Sequence, residues 1–158
     1  MKIRKLVILS LLVSLALAIS LVEQYIPLPI GVPGAKLGIS NMVILTTLVI
    51  FGFREMLVVA ALKSVLLLLI TGSVTGFWYS FSGAVVSSVV MGIGKKCLMP
   101  PFSLVGISEL GAFGHNVGQI SIACIIFSNY KLYYYLPVLT LFGVFTGYFV
   151  GLSTEYIT

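Results

Sequence analysis

The stretch Met56-Leu-Val-Val-Ala-Ala-Leu-Lys63-Ser-Val-Leu-Leu-Leu-Leu-Ile70 places a lysine in the middle of an otherwise apolar run. A charged side chain near the centre of a bilayer costs about 2.5–3.5 kcal/mol on insertion scales. Such a side chain therefore faces protein or a water-lined cavity, and it commonly marks the path of a solute. Lys63 thus indicates a membrane protein built around a polar pocket, with binding or transport as its class of function.

The composition indicates that lipid is the solvent. The chain has 158 residues, 59% of them hydrophobic and 8% charged, with a mean hydropathy of +1.19. Soluble domains carry about 25% charged residues, and a soluble fold of this size could not hide so much apolar surface. The net charge of +5 lies in short clusters between apolar runs, which is typical of multispan proteins and does not require nucleic acid. We expect one integral domain over residues 1–158, in the cell membrane.

Hydropathy predicts an all-α bundle of six transmembrane helices. The predicted spans cover residues 6–25, 39–53, 56–70, 77–93, 104–127 and 134–156. The second and third are short, because a helix needs about 20 residues to cross a bilayer.

Lysine and arginine set the predicted orientation, because cytoplasmic loops carry an excess of both. With both termini cytoplasmic, the outer side receives only Lys36 and Lys131. The cytoplasmic side receives Lys2, Arg4, Lys5, Arg54, Lys95 and Lys96. The first helix resembles a secretory signal with Ala16-Leu-Ala18 as its cleavage site, but its apolar run continues to Val22. We therefore expect it to be retained.

Residues 27–38, between the first two spans, contain three prolines and three glycines, which exclude a regular helix. A lid or re-entrant loop over an outward pocket fits this composition, and so does a stiff turn. Lys36 then either anchors the loop at the interface by snorkelling or caps an anionic ligand. Asn41 adds a polar group at the top of the second span.

Polar side chains also interrupt the fifth span. His115, Asn116 and Gln119 lie within about one helical turn, and we expect them to share one flank. Burying three polar side chains in a membrane helix is unfavourable unless they find partners. The flank is therefore either an interhelical hydrogen-bond network or part of a ligand site.

Lys63 shares its predicted helical face with Ala60, Ser64 and Leu67. The small neighbours indicate a face that is turned toward the bundle. Lys63 then either contacts a solute or makes a structural hydrogen bond or ion pair. Glu23, near the outer end of the first span, is the candidate partner, unless it is exposed at the interface.

Small residues recur every four positions on three spans. The stripes are Ser10, Ser14 and Ala18; Ala84, Ser88 and Gly92; and Gly143, Gly147 and Gly151. Such stripes let neighbouring backbones approach closely, which predicts packing within the bundle. The first stripe could instead be a docking face for another membrane subunit.

The residue inventory argues against several kinds of chemistry. The chain contains no aspartate, four glutamates and one histidine, so we expect no metal site, no cofactor and no catalytic residue. Gly92-Ile-Gly-Lys-Lys96 lacks the spacing of an ATP-binding Walker A loop. Cys97 and Cys124 have no CxxC partner, and we expect no disulfide. Active transport by this chain would need a partner or an ion gradient.

Two segments resemble a known family. Pro33-Gly-Ala-Lys-Leu-Gly-Ile-Ser-Asn41 and Gly111-Ala-Phe-Gly-His-Asn-Val-Gly-Gln119 resemble the Gx transporter family, often labelled heptaprenyl diphosphate synthase component I. That family is similar in size and span count to the substrate-binding S components of energy-coupling factor (ECF) transporters. The resemblance implies an S-component-like bundle with an outward pocket under the first loop. It further implies that Ser10, Ser14 and Ala18 contact a transmembrane coupling subunit that sits on two cytoplasmic ATPases.

The resemblance marks five motif positions as substrate-binding, and the physical argument adds Lys63 and Glu23. The five positions are Lys36, Asn41, His115, Asn116 and Gln119. The leading hypothesis is a non-enzymatic, substrate-binding membrane subunit for uptake of a small nutrient or cofactor precursor. The lysines favour an anionic ligand, whereas the amides also suit a neutral heteroaromatic one.

Two other functions stay open. The first is a membrane accessory subunit of a heptaprenyl diphosphate synthase in isoprenoid or menaquinone biosynthesis, whose soluble partner carries the missing aspartates. The second is a solitary carrier coupled to ions or protons.

Overall fold

The computed structural model describes residues 2–26, 36–99 and 102–158. These residues form six α-helices and one 3₁₀ helix, Tyr130–Tyr135, with no strand among them. The α-helices are α1 (Lys2–Glu23), α2 (Asn41–Ile50), α3 (Phe53–Thr71), α4 (Val74–Leu98), α5 (Leu104–Ile126) and α6 (Leu136–Ile157). The all-α prediction is confirmed, and the helix positions agree with the predicted spans to within a few residues.

Three segments are long and apolar enough to cross a membrane: Ile3–Glu23, Val74–Leu98 and Tyr130–Ile157. They support the prediction of a membrane protein. The α3 and α5 helices have 19 and 23 residues, but α3 contains three charged side chains, Arg54, Glu55 and Lys63, and the polar side chains of α5 lower its hydropathy. The full count of six spans and the direction of the termini remain predictions.

The α2 helix lies at the centre of the bundle. It packs against all five other α-helices, and seven of its ten residues are buried, as expected of a helix that is apolar on every side. Ten residues give a length of about 15 Å, which is half of a hydrocarbon core of about 30 Å. The predicted span 39–53 was therefore too long, because α2 ends at Ile50 before Gly52, whose φ is +104°.

Because α2 is short, the residues before it lie inside the bundle. Lys36, Gly38 and Ser40 are buried, and Gly38 turns the chain into α2 with a φ of +81°. Residues 27–35 of the predicted lid lie outside the described residues. Segment 36–40 is nevertheless a non-helical stretch within the protein interior, where irregular backbone is tolerated in membrane proteins.

Two of the small-residue stripes pack within the bundle. Gly143, Gly147 and Gly151 are buried, and a Cβ added at Gly151 would lie 2.5 Å from the Cα of Val105 in α5. In the α4 stripe, Ala84 and Ser88 are buried. Both stripes therefore have the predicted internal role.

The stripe on α1 differs, because Ser10, Ser14 and Ala18 are all exposed. The helix packs on α2 and α3 with another face, which contains the buried Val13 and Ala16. For α1, packing within the bundle is therefore the wrong interpretation of the stripe.

Two apolar clusters stabilise the bundle on either side of its middle. The first surrounds α2 and extends toward the predicted cytoplasmic end, and it includes Ile44, Leu45, Leu48, Met56, Ala60, Ala84, Met91, Ile107 and Val150. The second lies toward the opposite end, between α4, α5 and α6, and it contains Tyr79, Ile120, Ala123, Cys124 and Leu139.

Candidate ligand-binding site

Buried polar side chains from five parts of the chain meet between the two apolar clusters. We call this group the polar layer. Its members, each at most 6% exposed, are Glu23, Lys36, Ser40, Asn41, Lys63, Ser64, Ser80, His115 and Gln119. Lys63 and His115 both lie about 15 Å along their helices from the predicted cytoplasmic end, so the layer is near the middle of the bundle.

Lys63 is the largest fully buried side chain in the described part of the protein, with 1% exposure. Ala60, Ser64 and Leu67 are buried beside it, so the predicted inward face is confirmed. The Nζ atom of Lys63 donates a hydrogen bond of 3.0 Å to Ser40 Oγ. Among the described residues, Lys63 has no carboxylate within 4 Å, and Glu23 and Lys36 act on it only through longer-range electrostatics.

Lys36 is 6% exposed, so the interfacial anchor is the wrong alternative, since snorkelling requires an ammonium group in contact with water. Its Nζ atom has no hydrogen-bond partner among the described residues. The main chain of Lys36 is held by Gln119. The Lys36 N–H donates to Gln119 Oε1 over 3.2 Å, and the Lys36 carbonyl accepts from Gln119 Nε2 over 3.5 Å.

Glu23 holds the same segment from the α1 side. One carboxylate oxygen, Oε1, accepts a hydrogen bond from the main-chain N–H of Ile39. The other, Oε2, has no partner in the described part of the chain, and the residue is 3% exposed. Exposure of Glu23 at the interface is therefore wrong, and so is a direct ion pair with Lys63.

The imidazole of His115 is enclosed by glycines. A Cβ at Gly83 would lie 2.7 Å from His115 Cε1, and a Cβ at Gly38 would lie 3.2 Å from His115 Cδ2. The Nε2 atoms of His115 and Gln119 are 2.6 Å apart. Because the Gln119 amide donates there, His115 Nε2 is the acceptor, and the ring proton belongs on Nδ1.

Asn116 lies outside the polar layer. Its Nδ2 atom donates a hydrogen bond of 2.8 Å to the carbonyl of Leu139 in α6, which is an interhelical bond. A step of one residue turns a helix by about 100°. His115 and Gln119 therefore face α4 and segment 36–40, whereas Asn116 faces α6. The prediction of one shared flank was wrong for Asn116.

The structure adds residues that the sequence did not single out. Ser80 Oγ is 3.3 Å from Ser64 Oγ and joins α4 to α3. Thr146 Oγ1 lies 3.3 Å from the carbonyl oxygen of Leu37, so α6 also contacts the segment before α2. The spacing of Ser80, Gly83 and Ser87 places these small residues on one face of α4. That spacing is the sequence signal from which the inward position of Ser80 could have been predicted.

Electrostatically, the polar layer favours a negative ligand. Two lysine ammonium groups against the carboxylate of Glu23 leave one excess positive charge. The N-terminus of α2, the positive end of its helix dipole, begins at Asn41 beside these groups. Half-helices that end within a bundle point at anionic groups of substrates in several membrane transporters. The arrangement can therefore hold an anion away from water.

No curated protein and no solved structure is similar enough to this chain to count as a match. A family model described as heptaprenyl diphosphate synthase component I matches residues 12–157, which include every residue of the polar layer. The motif around Lys36 and the motif around His115 both fall within the matched range. The chain therefore belongs to the family of heptaprenyl diphosphate synthase component I, also called the Gx transporter family.

Proposed function

We propose that this membrane protein is the substrate-binding subunit of an uptake system for a small anionic nutrient or cofactor precursor. The observation that carries the proposal is the ammonium group of Lys36, which is buried in the middle of the bundle and has no hydrogen-bond partner among the described residues. An isolated buried charge is strongly unfavourable. A lysine that served packing alone is expected to have a partner, whereas a ligand anion would supply one on binding.

Lys63 supports the same interpretation. Its hydrogen bond to the neutral Ser40 hydroxyl positions the ammonium group but does not neutralise it. Gln119 and Glu23 both bind the main chain of segment 36–40 rather than the lysine side chains. The site therefore holds the segment in place while two cations remain available for a solute.

The energy source in this proposal is an ECF-type module, namely a transmembrane coupling subunit with two cytoplasmic ATPases. The support is the exposed stripe on α1. The Ser10 and Ser14 hydroxyls donate to carbonyls of their own helix, at 2.8 Å and 3.0 Å, so the stripe presents few unsatisfied groups. A partner helix can approach closely over such a surface.

A second candidate function follows from the description of the family. We infer that this chain, if it assists a heptaprenyl diphosphate synthase, does so as a non-catalytic membrane subunit. Metal-bound diphosphate needs hard carboxylate ligands, and the chain contains no aspartate. A soluble partner would have to supply that site.

Affinity purification from mildly solubilised native membranes, with every co-purifying protein identified, tests the two functions against each other. Uptake predicts recovery of a membrane coupling subunit with paired ATPases. The accessory function predicts recovery of a soluble prenyltransferase-like chain instead, with synthase activity that depends on this protein. Recovery of the synthase alone would overturn the uptake proposal.

A further inference from the structure

The polar layer contains unused hydrogen-bond acceptors as well as unused donors. Lys36 Nζ and the protonated His115 Nδ1 are the donors, and Glu23 Oε2 and Asn41 Oδ1 are the acceptors, that have no partner among the described residues. All four side chains are at least nine-tenths buried. Buried polar groups in native proteins are almost always hydrogen-bonded, so this set describes what a bound molecule must offer.

The four groups adjoin the same short stretch of chain. Lys36 and Asn41 stand at either end of segment 36–41, and Glu23 binds the main chain of Ile39 between them. Glu23 and Lys36 interact electrostatically. The Asn41 amide and the His115 ring both border Gly38, where an added Cβ would lie 3.2 Å from each.

Neither a simple anion nor a simple cation satisfies this set. An anion without N–H groups would pair with Lys36, but it would add a second negative charge near Glu23 and leave both acceptors unpaired. A cation without an acidic group would satisfy the acceptors and leave Lys36 unpaired. Each unpaired buried group carries a desolvation penalty that weakens binding.

We propose that the ligand is amphoteric, with an oxyanion for Lys36 and one or more N–H donors for Glu23 and Asn41. Small amino acids and nitrogen-containing ring acids have this chemistry. The inference rests on the capture function proposed above and narrows the class of substrate. It also assigns Glu23 a direct role in choosing the ligand.

Two conservative variants test the inference without removing the main-chain contacts. In Glu23→Gln, the amide oxygen can still accept from Ile39 N–H, while the negative charge is lost. In Lys36→Met, the main-chain bonds to Gln119 remain. Glu155→Gln and Lys131→Met change the same residue types at exposed positions and serve as matched controls.

The experiment is equilibrium dialysis of the purified full-length protein in detergent against yeast extract, followed by mass spectrometry of the retained small molecules. Thermal unfolding of each variant verifies folding. We expect enrichment of a compound that carries both an acidic group and an N–H donor. Each site variant should lower that enrichment about tenfold or more, and the two controls should leave it unchanged.

Other outcomes separate this inference from the proposed function. Enrichment of an acid without N–H groups, reduced by Lys36→Met and increased by Glu23→Gln, would overturn the amphoteric class and leave anion capture standing. Enrichment of a cation or an uncharged compound that carries no acidic group would overturn both the class and the role of Lys36. Retention of no compound at all would contradict the capture function itself.

Discussion

Lys63 Nζ and Ser40 Oγ lie 3.0 Å apart and join the middle of α3 to the residue that precedes α2. Both residues are at most 1% exposed. The bond connects the non-helical segment 36–40 to the largest fully buried side chain among the described residues. Ser40 stands at the N-cap position of α2, yet its side chain makes no capping bond. It accepts from the lysine instead.

Ser40→Ala should mainly lower the stability of the protein, whereas Lys63→Met should mainly lower its affinity for the ligand. Ser40→Ala leaves a buried ammonium without its partner, which should lower the free energy of unfolding by about 1–3 kcal/mol. Lys63→Met removes the charge together with the bond and fills similar space, so its cost should be smaller. Lys63→Met should nevertheless lower ligand affinity about tenfold or more. Thermal unfolding and ligand dialysis of the two variants in detergent measure both effects. A larger loss of stability in Lys63→Met, with affinity retained, would mean that the lysine is structural.

Asn116→Ala and Gln119→Ala should separate structure from binding along one helix. Asn116→Ala removes the bond to the Leu139 carbonyl and should lower stability by about 1–2 kcal/mol, with affinity unchanged. Gln119→Ala releases the main chain of Lys36 and should weaken binding about tenfold. Thermal unfolding and ligand dialysis in detergent measure the two effects. Loss of affinity in Asn116→Ala alone would place the ligand against α6 instead.

Gly83→Ala should disturb His115, because the new Cβ would lie 2.7 Å from the imidazole. Overpacking of this kind costs about 1–3 kcal/mol, and the displaced ring should weaken binding as well. Gly94→Ala is the control in the same helix, since its Cβ would lie 3.7 Å from Leu110. That variant should be neutral or more stable, because alanine is the better helix former. Equal melting temperatures for the two variants would contradict the close contact.

Ser14→Leu should leave the isolated protein stable and weaken its association with a coupling subunit. Ser14 is exposed, so the larger side chain meets no neighbour within the bundle, but it would hold a partner helix away. Val65→Leu is the control, because both residues lie about 18 Å along their helices and both face outward. Co-purification from native membranes measures the effect. Undiminished recovery of the partner with Ser14→Leu would exclude this stripe as the docking face.

The sequence could predict the helices and the inward direction of Lys63 for one physical reason. In lipid, each apolar run must satisfy its backbone internally, so it becomes a helix, and a charge within such a run must turn toward protein. The hydropathy pattern and the charge of Lys63 carry this information directly.

Other features depend on tertiary packing that no local pattern records. Lys36 follows a stretch rich in proline and glycine. That stretch has no hydrophobic periodicity, so the burial of Lys36 could not be deduced from it. Asn116 and Gln119 are both amides on one helix, and only the positions of α4 and α6 decide which of them joins the polar layer. In the sequence, Ser80 is one of several hydroxyl side chains in an apolar span. Only its contact with Ser64 of α3 makes it part of the polar layer.

The ten-residue length of α2 makes the two halves of the bundle unequal as barriers. Within the described residues, the half toward the predicted outer face contains five α-helices, whereas the other half contains six and the apolar cluster around α2. A solute beside Lys63 would have reached about the midpoint of the lipid layer, with an apolar core of about 15 Å still ahead of it. Discharge toward the predicted cytoplasmic end would require α2 to separate from its neighbours. Under the uptake proposal, release toward the cytoplasm is therefore the step on which energy must be spent.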